Sequence, residues 1–165
     1  MDEDRRAGHG QYGSLRPLVA QAVEEAGLRG STTVEAEDLL LALASSGTPE
    51  IRAMLEDAGL AHQGILDALR NERRHSLAYL GIAPLDESRL TAAPRAGRPA
   101  WGTSVREAMG RGRMPLNKNR QRGVAECDVL IGVLLARLGT VPRALALAGI
   151  DTDALVGRLQ RERTL

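Results

Sequence analysis

The chain of 165 residues repeats itself. Shifted by 90 positions, Asp38 falls on Asp128, Leu40 on Leu130, Leu55 on Leu145, and Ala58-Gly59 on Ala148-Gly149. Leu69, Glu72 and Arg73 fall likewise on Leu159, Glu162 and Arg163, with no gap from Glu37 to Arg73. Upstream, Glu25-Ala26 matches Glu107-Ala108 at an offset of only 82, so the second copy carries eight extra residues in its Gly110–Gly123 loop. Each unit alone is too small to bury enough apolar surface, so the two must pack on each other.

Within each unit the apolar residues recur at helical spacing, and strand alternation is nearly absent. Leu15, Leu18, Val19, Ala22, Val23 and Ala26 form one stripe at i, i+3, i+4 and i+7, closed by Gly30. Thr32 to Glu35 reads as a capping box, Thr32 accepting and Glu35 reaching back, before a helix through Asp38 to Ala44. Thr48-Pro49 predicts the next helix start, with Ile51, Met54, Leu55 and Ala58 buried and Gly59 as the stop. Ile65, Leu66 and Leu69 mark a fourth helix to about Arg73, and Leu77 to Ile82 a short apolar turn. Pro84, Pro94, Gly97 and Pro99 break any long helix and define a linker over 83–100. Trp101 to Met109 resumes the helical pattern, which Gly110, Gly112 and Pro115 are expected to end. Ala125 to Leu138, Val141 to Ala148, and a helix capped by Asp151 complete the second unit. The expected organisation is a flexible start over 1–10, repeat one over 11–82, the linker, and repeat two over 101–163. The fold class is all-α: two pseudo-twofold-related four-helix repeats in one bundle.

Composition narrows the function classes. Lys+Arg number 22 against 21 Asp+Glu, so a net charge of +1 gives no global field for nucleic acid or membranes. With 2% aromatic residues and no Phe, the core must be built from Leu, Val, Ile and Ala. The single Cys127 excludes an internal disulfide framework and fits a reducing compartment. No apolar run approaches a membrane span, and Met1 to Gly10 has no signal-peptide core, so a soluble cytoplasmic protein is expected.

The residues with chemistry to offer are few. Glu35, Glu37 and Asp38 fall in the first turn of a helix, as do Glu126 and Asp128 in the repeat. Acids there cap the helix and complement its dipole for about 0.3–1 kcal/mol each, and they can also receive a cationic ligand. Cys127 stands between two acids, which oppose a thiolate. His9, His62 and His75 lack metal-site spacing, so neither a metal nor a cofactor is expected. Gly97 to Thr103 resembles a phosphate-binding loop but lacks its Lys and its preceding strand. No nucleophile–base pair appears, which argues against an enzyme. From Arg89 to Arg122 stand nine basic residues and one acid, Glu107. That stretch is either a solvated linker and loop, a surface for an acidic protein, or, as the alternative function, a nucleic-acid-binding segment.

Glu37-Asp38-Leu39-Leu40-Leu41-Ala42-Leu43 is similar to the Glu-His-Ile-Leu-Leu-Gly-Leu motif of the Clp N-terminal (Clp R) domain, which fronts the ClpA/ClpC-type AAA+ unfoldases. Cys127 to Val133 resembles it in the second copy. Leu55 to Leu60 and Leu145 to Ile150 resemble the family's Leu-x-x-Leu-Gly-[IV] turn, and Ala93-Pro94-Arg95-Ala96 its Thr-Pro-Arg-Ala. The likeness spans about residues 11 to 163. It implies a non-catalytic, stand-alone module that binds proteins or peptides for a Clp protease system, as adaptor, decoy or regulator of substrate recruitment. Its implied partners are a Clp unfoldase, adaptors or substrates, including phosphoarginine-bearing peptides. In such family members the Glu of each Glu-His motif holds the guanidinium. Glu37 matches that position in the first repeat; the aligned Cys127 of the second cannot make the contact, although Glu126 is adjacent. The expected ligand-binding residues are therefore Glu35, Glu37, Asp38, Glu126 and Asp128, with the groove between the repeats as a further surface.

Overall fold

A computed structural model of the chain describes residues 15–83, 97–113 and 125–162. The expected flexible start over 1–10, most of the 83–100 linker, and the basic residues Arg89, Arg95, Lys118, Arg120 and Arg122 lie outside them. The elements run α1 (Arg16–Leu28), β1 (Thr33–Val34), α2 (Ala36–Ser46), α3 (Pro49–Asp57), α4 (His62–Tyr79), β2 (Ala100–Trp101), α5 (Thr103–Arg113), α6 (Glu126–Leu134), α7 (Thr140–Leu147) and α8 (Thr152–Glu162). The fold is all-α apart from the short parallel pairing of β1 with β2.

The centre is formed by α2 and α6. Every residue from Asp38 to Leu43 and from Asp128 to Leu134 is buried, so these helices are enclosed all round. Packed on them, α1 lies against α2, α5 against α6, and α8 against α6, while α4 meets α7. The core is aliphatic, with Leu40, Leu41, Leu43, Leu55, Leu130, Ile131 and Leu159 essentially inaccessible. Each such side chain contributes about 1.5–3 kcal/mol of burial.

Equivalent positions repeat local chemistry. The Asp38 carboxylate accepts the Glu35 N–H at 2.8 Å, and 90 residues on Asp128 accepts the Ala125 N–H at 3.0 Å. Gly59 (φ +78°) and Gly149 (φ +71°) take the left-handed conformation after α3 and α7. There Leu60 N–H reaches Leu55 O at 2.7 Å and Ile150 N–H reaches Leu145 O at 3.0 Å, closing both helices with the same glycine turn. Ties also cross from half to half: Arg143 Nε to Glu72 at 2.8 Å, Arg158 to Asp57 at 3.1 Å, and Thr48 N–H to Glu126 at 2.7 Å.

Several boundaries differ from the sequence expectation. The cap of α2 is made by Asp38 at the third helical position, not by Thr32 with Glu35, because Thr33 and Val34 are drawn into pairing with Ala100 and Trp101. Ala100, expected in the linker, is held there by its N–H to Thr32 O at 3.0 Å. The fourth helix passes Arg73 and absorbs the expected turn as far as Tyr79. The helix expected to reach Leu138 ends at Leu134, and Gly139 (φ +113°) precedes α7. Gly110 and Gly112 do not stop α5. A Cβ on Gly112 would collide with the Asp128 carbonyl, and one on Gly132 with the Ala108 carbonyl. These glycines let α5 and α6 touch backbone to backbone.

Candidate functional site

The five expected acids are all engaged within the chain. Asp38, 1% exposed, receives Arg29 Nη1 at 2.8 Å, and Arg29 Nη2 lies 3.2 Å from Glu37 Oε1. Burial pushes the Asp38 carboxyl up to about 6, outweighing the downward pull of the Glu35 N–H and the Arg29 charge. Glu35 accepts the hydroxyl of Ser104, which in turn accepts the Ala36 N–H at 2.8 Å. Glu126 holds the backbone N–H of Thr48, at the start of α3, and Asp128 is buried over the Ala125 N–H. Cys127 is half-buried, its Sγ 3.6 Å from Leu159 O.

The structure groups these acids into two clusters and does not bring the clusters together. Glu35, Glu37 and Asp38 stand at the first turn of α2, whereas Glu126 contacts Thr48 just beyond its last turn. The 11 residues of α2, at 1.5 Å rise, put the clusters roughly 16 Å apart. A guanidinium already sits on Glu37, and it belongs to Arg29.

The feature best shaped for a ligand is a groove between the halves with a volume of about 430 Å³. From the first half, Leu15, Leu18 and Val19 at the start of α1 line it, with Leu39 of α2. From the second come Trp101 of β2, Val105, Arg106, Met109 and Gly110 of α5, and Val129 of α6. Leu39 and Val129 are equivalent at the 90-residue offset. Trp101 is held by backbone pairing: Gly102 N–H reaches Val34 O at 2.9 Å, and Ala100 N–H reaches Thr32 O. Among the described residues, every lining side chain apart from Arg106 is apolar or an indole, as suits a surface for apolar side chains. A second hollow lies between α4 and α7, lined by Glu72, His75, Ser76, Arg143, Ala146 and Leu147. Burial raises the Glu72 carboxyl, but hydrogen bonds from Ser76 and Arg143, with the Arg143 and His75 charges, bring it below the usual range. Among the described residues no group of three His, Cys, Asp or Glu side chains is placed to hold a metal. Nor is any helix among them long and apolar enough to cross a membrane.

No protein-family model matches the sequence, and no curated protein matches it. Among solved structures, the chain is similar to the N-terminal domain of the caseinolytic-protease-associated chaperone ClpD from Arabidopsis thaliana. The TM-score is 0.60 at 16% identity, over 94% of this chain and 96% of that one. The fold is that of a Clp N-terminal domain.

In this Clp N-terminal-like domain, sequence reasoning named the acidic turns and the meeting of the halves, but not the groove's own residues. Leu15, Leu18 and Val19 were legible only as a core stripe, and Arg106 only as one member of an arginine-rich stretch. Arg29 and Ser104, which occupy the acids, carry no sequence signal, because their partners lie across a turn or in the other half. The one available clue to the groove was the chain's single tryptophan beside a helix start in an otherwise aliphatic protein.

Proposed function

We propose that the protein is a non-catalytic module that binds apolar peptide segments in the groove between α1 and α5, and that it serves a Clp-type unfoldase as adaptor, decoy or regulator of substrate recruitment. The observation that carries this reading is the apolar groove built from both halves of a Clp N-terminal fold. Concave apolar surfaces between helices are the usual place for such ligands. The acidic turns are secondary in this reading: a ligand guanidinium, including that of phosphoarginine, reaches Glu37 only by displacing Arg29. Its setting is the cytoplasm, alongside the unfoldase.

The test is a reconstituted Clp unfoldase–protease degrading fluorescein-labelled casein, with the purified protein added in increasing amounts. The expected result is a dose-dependent change in degradation rate that is lost in Met109→Lys, which places a charge in the groove. Degradation unaffected by the wild-type protein at any dose overturns the reading.

A further inference from the structure

Arg106 is out of keeping with its surroundings. It is, among the described residues, the sole charged one lining an otherwise apolar groove. Among the described residues it has no ion pair, whereas Arg111, five residues further along α5, is matched with Glu107 at 3.6 Å and donates to Gly132 O at 2.9 Å. No acid among the described residues lines the groove. A ligand that fills it therefore meets a guanidinium with its fork open, and the complementary group is a carboxylate, which pairs with that fork through two charge-assisted hydrogen bonds.

The spacing specifies where the carboxylate belongs on the ligand. Arg106 follows Val105 directly and precedes Met109 by less than one helical turn, so cation and apolar wall are within about 5 Å along α5. A ligand uses both when one residue supplies both the apolar side chain and the negative charge. The last residue of a polypeptide does so. An internal segment would also carry peptide groups in on both sides of the anchor, and the described lining side chains are almost all apolar and offer them few partners.

Resting on the peptide-binding reading above, we propose that the groove captures the C-terminus of a partner chain, with the final apolar side chain between α1 and α5 and the terminal carboxylate on Arg106. Trp101, the single tryptophan and a lining residue, reports occupancy by its emission. The full chain is titrated with the pentapeptide acetyl-Gly-Ser-Ala-Leu-Leu as free acid, with its C-terminal amide, and with decanoate. Both peptides should shift the emission, the acid binding on the order of tenfold more tightly. Arg106→Gln should bring the acid to the affinity of the amide and leave the amide unchanged, and 0.5 M NaCl should shrink the same gap in the wild type. Equal binding of acid and amide by the wild type, or equal weakening of both by Arg106→Gln, overturns the inference and leaves the peptide-binding reading standing. Decanoate binding more tightly than the free acid also overturns the inference. Binding of neither peptide overturns both.

Discussion

Arg29 Nη1 lies 2.8 Å from Asp38 Oδ1, joining the residue that caps α1 to a carboxylate that is 1% exposed at the first turn of α2. The contact occupies the acidic turn that the sequence offers as a cation site. It does not compensate for the burial, since the carboxyl rises from 3.8 to about 6.

That rise sets a pH dependence. A carboxyl whose folded value is raised stabilises the fold fully below its unfolded value and loses that contribution as pH rises through the folded one. From 3.8 to about 6 the loss is about 3 kcal/mol. Urea unfolding of wild type and Asp38→Asn at pH 4, 5, 6 and 7 isolates it. The stability of wild type relative to the variant should fall steadily across that interval; a constant difference would exclude a raised Asp38.

Glu72 should behave in the opposite sense. Its folded value is lowered, so its contribution is present above the ordinary glutamate range and lost as pH falls through the folded value. Arg143→Ala strips the guanidinium from a carboxylate that is 4% exposed and should cost about 1–3 kcal/mol at pH 7. The penalty should shrink at pH 4, where protonation relieves a carboxylate left with Ser76 but without its guanidinium. Thermal melts at both pH values check this, and an equal penalty at the two would refute it.

At the α5–α6 contact, Gly132→Ala forces a methyl group into the Ala108 carbonyl and should cost at least about 1–3 kcal/mol. Gly27→Ala, in α1 with open space around its Cα, should instead stabilise by roughly 0.5–1 kcal/mol. Chemical denaturation of the pair separates a glycine that is needed from one that is not.

Glu126 is assigned here to holding the start of α3 through the Thr48 N–H. Glu126→Ala should therefore cost about 1 kcal/mol, as lost caps do, and Glu126→Gln, which keeps an acceptor oxygen, should recover part of it. Amide exchange at Thr48 reads the bond directly: protection should drop in the alanine variant and return in the glutamine one.

Much of the architecture was legible because burial follows periodicity. The stripe from Leu15 to Ala26 and the run from Leu39 to Leu43 announce helices wherever they stand in the chain. Glycine is ambiguous in the same alphabet. Gly59 ends a helix by turning left-handed, while Gly112 lies inside one and lets a neighbour approach, and only the partner backbone tells them apart. The cap of α2 was misplaced because Thr33 and Val34 take part in a pairing whose other strand is 67 residues away. The candidate site was less legible still. Its lining comes from five elements, and Arg106 becomes distinctive only once Val105, Met109 and Leu18 are seen beside it.

The backbone pairing of Thr33 and Val34 with Ala100 and Trp101 has a consequence for descent. Main-chain hydrogen bonds fix where the indole stands, so, although the core residue Val34 must stay apolar, the half-buried Thr33 and the exposed Ala100 are open to change. Lineages can exchange those residues freely while inheriting the same cleft. A shape held by main-chain bonds persists while the letters at such positions change.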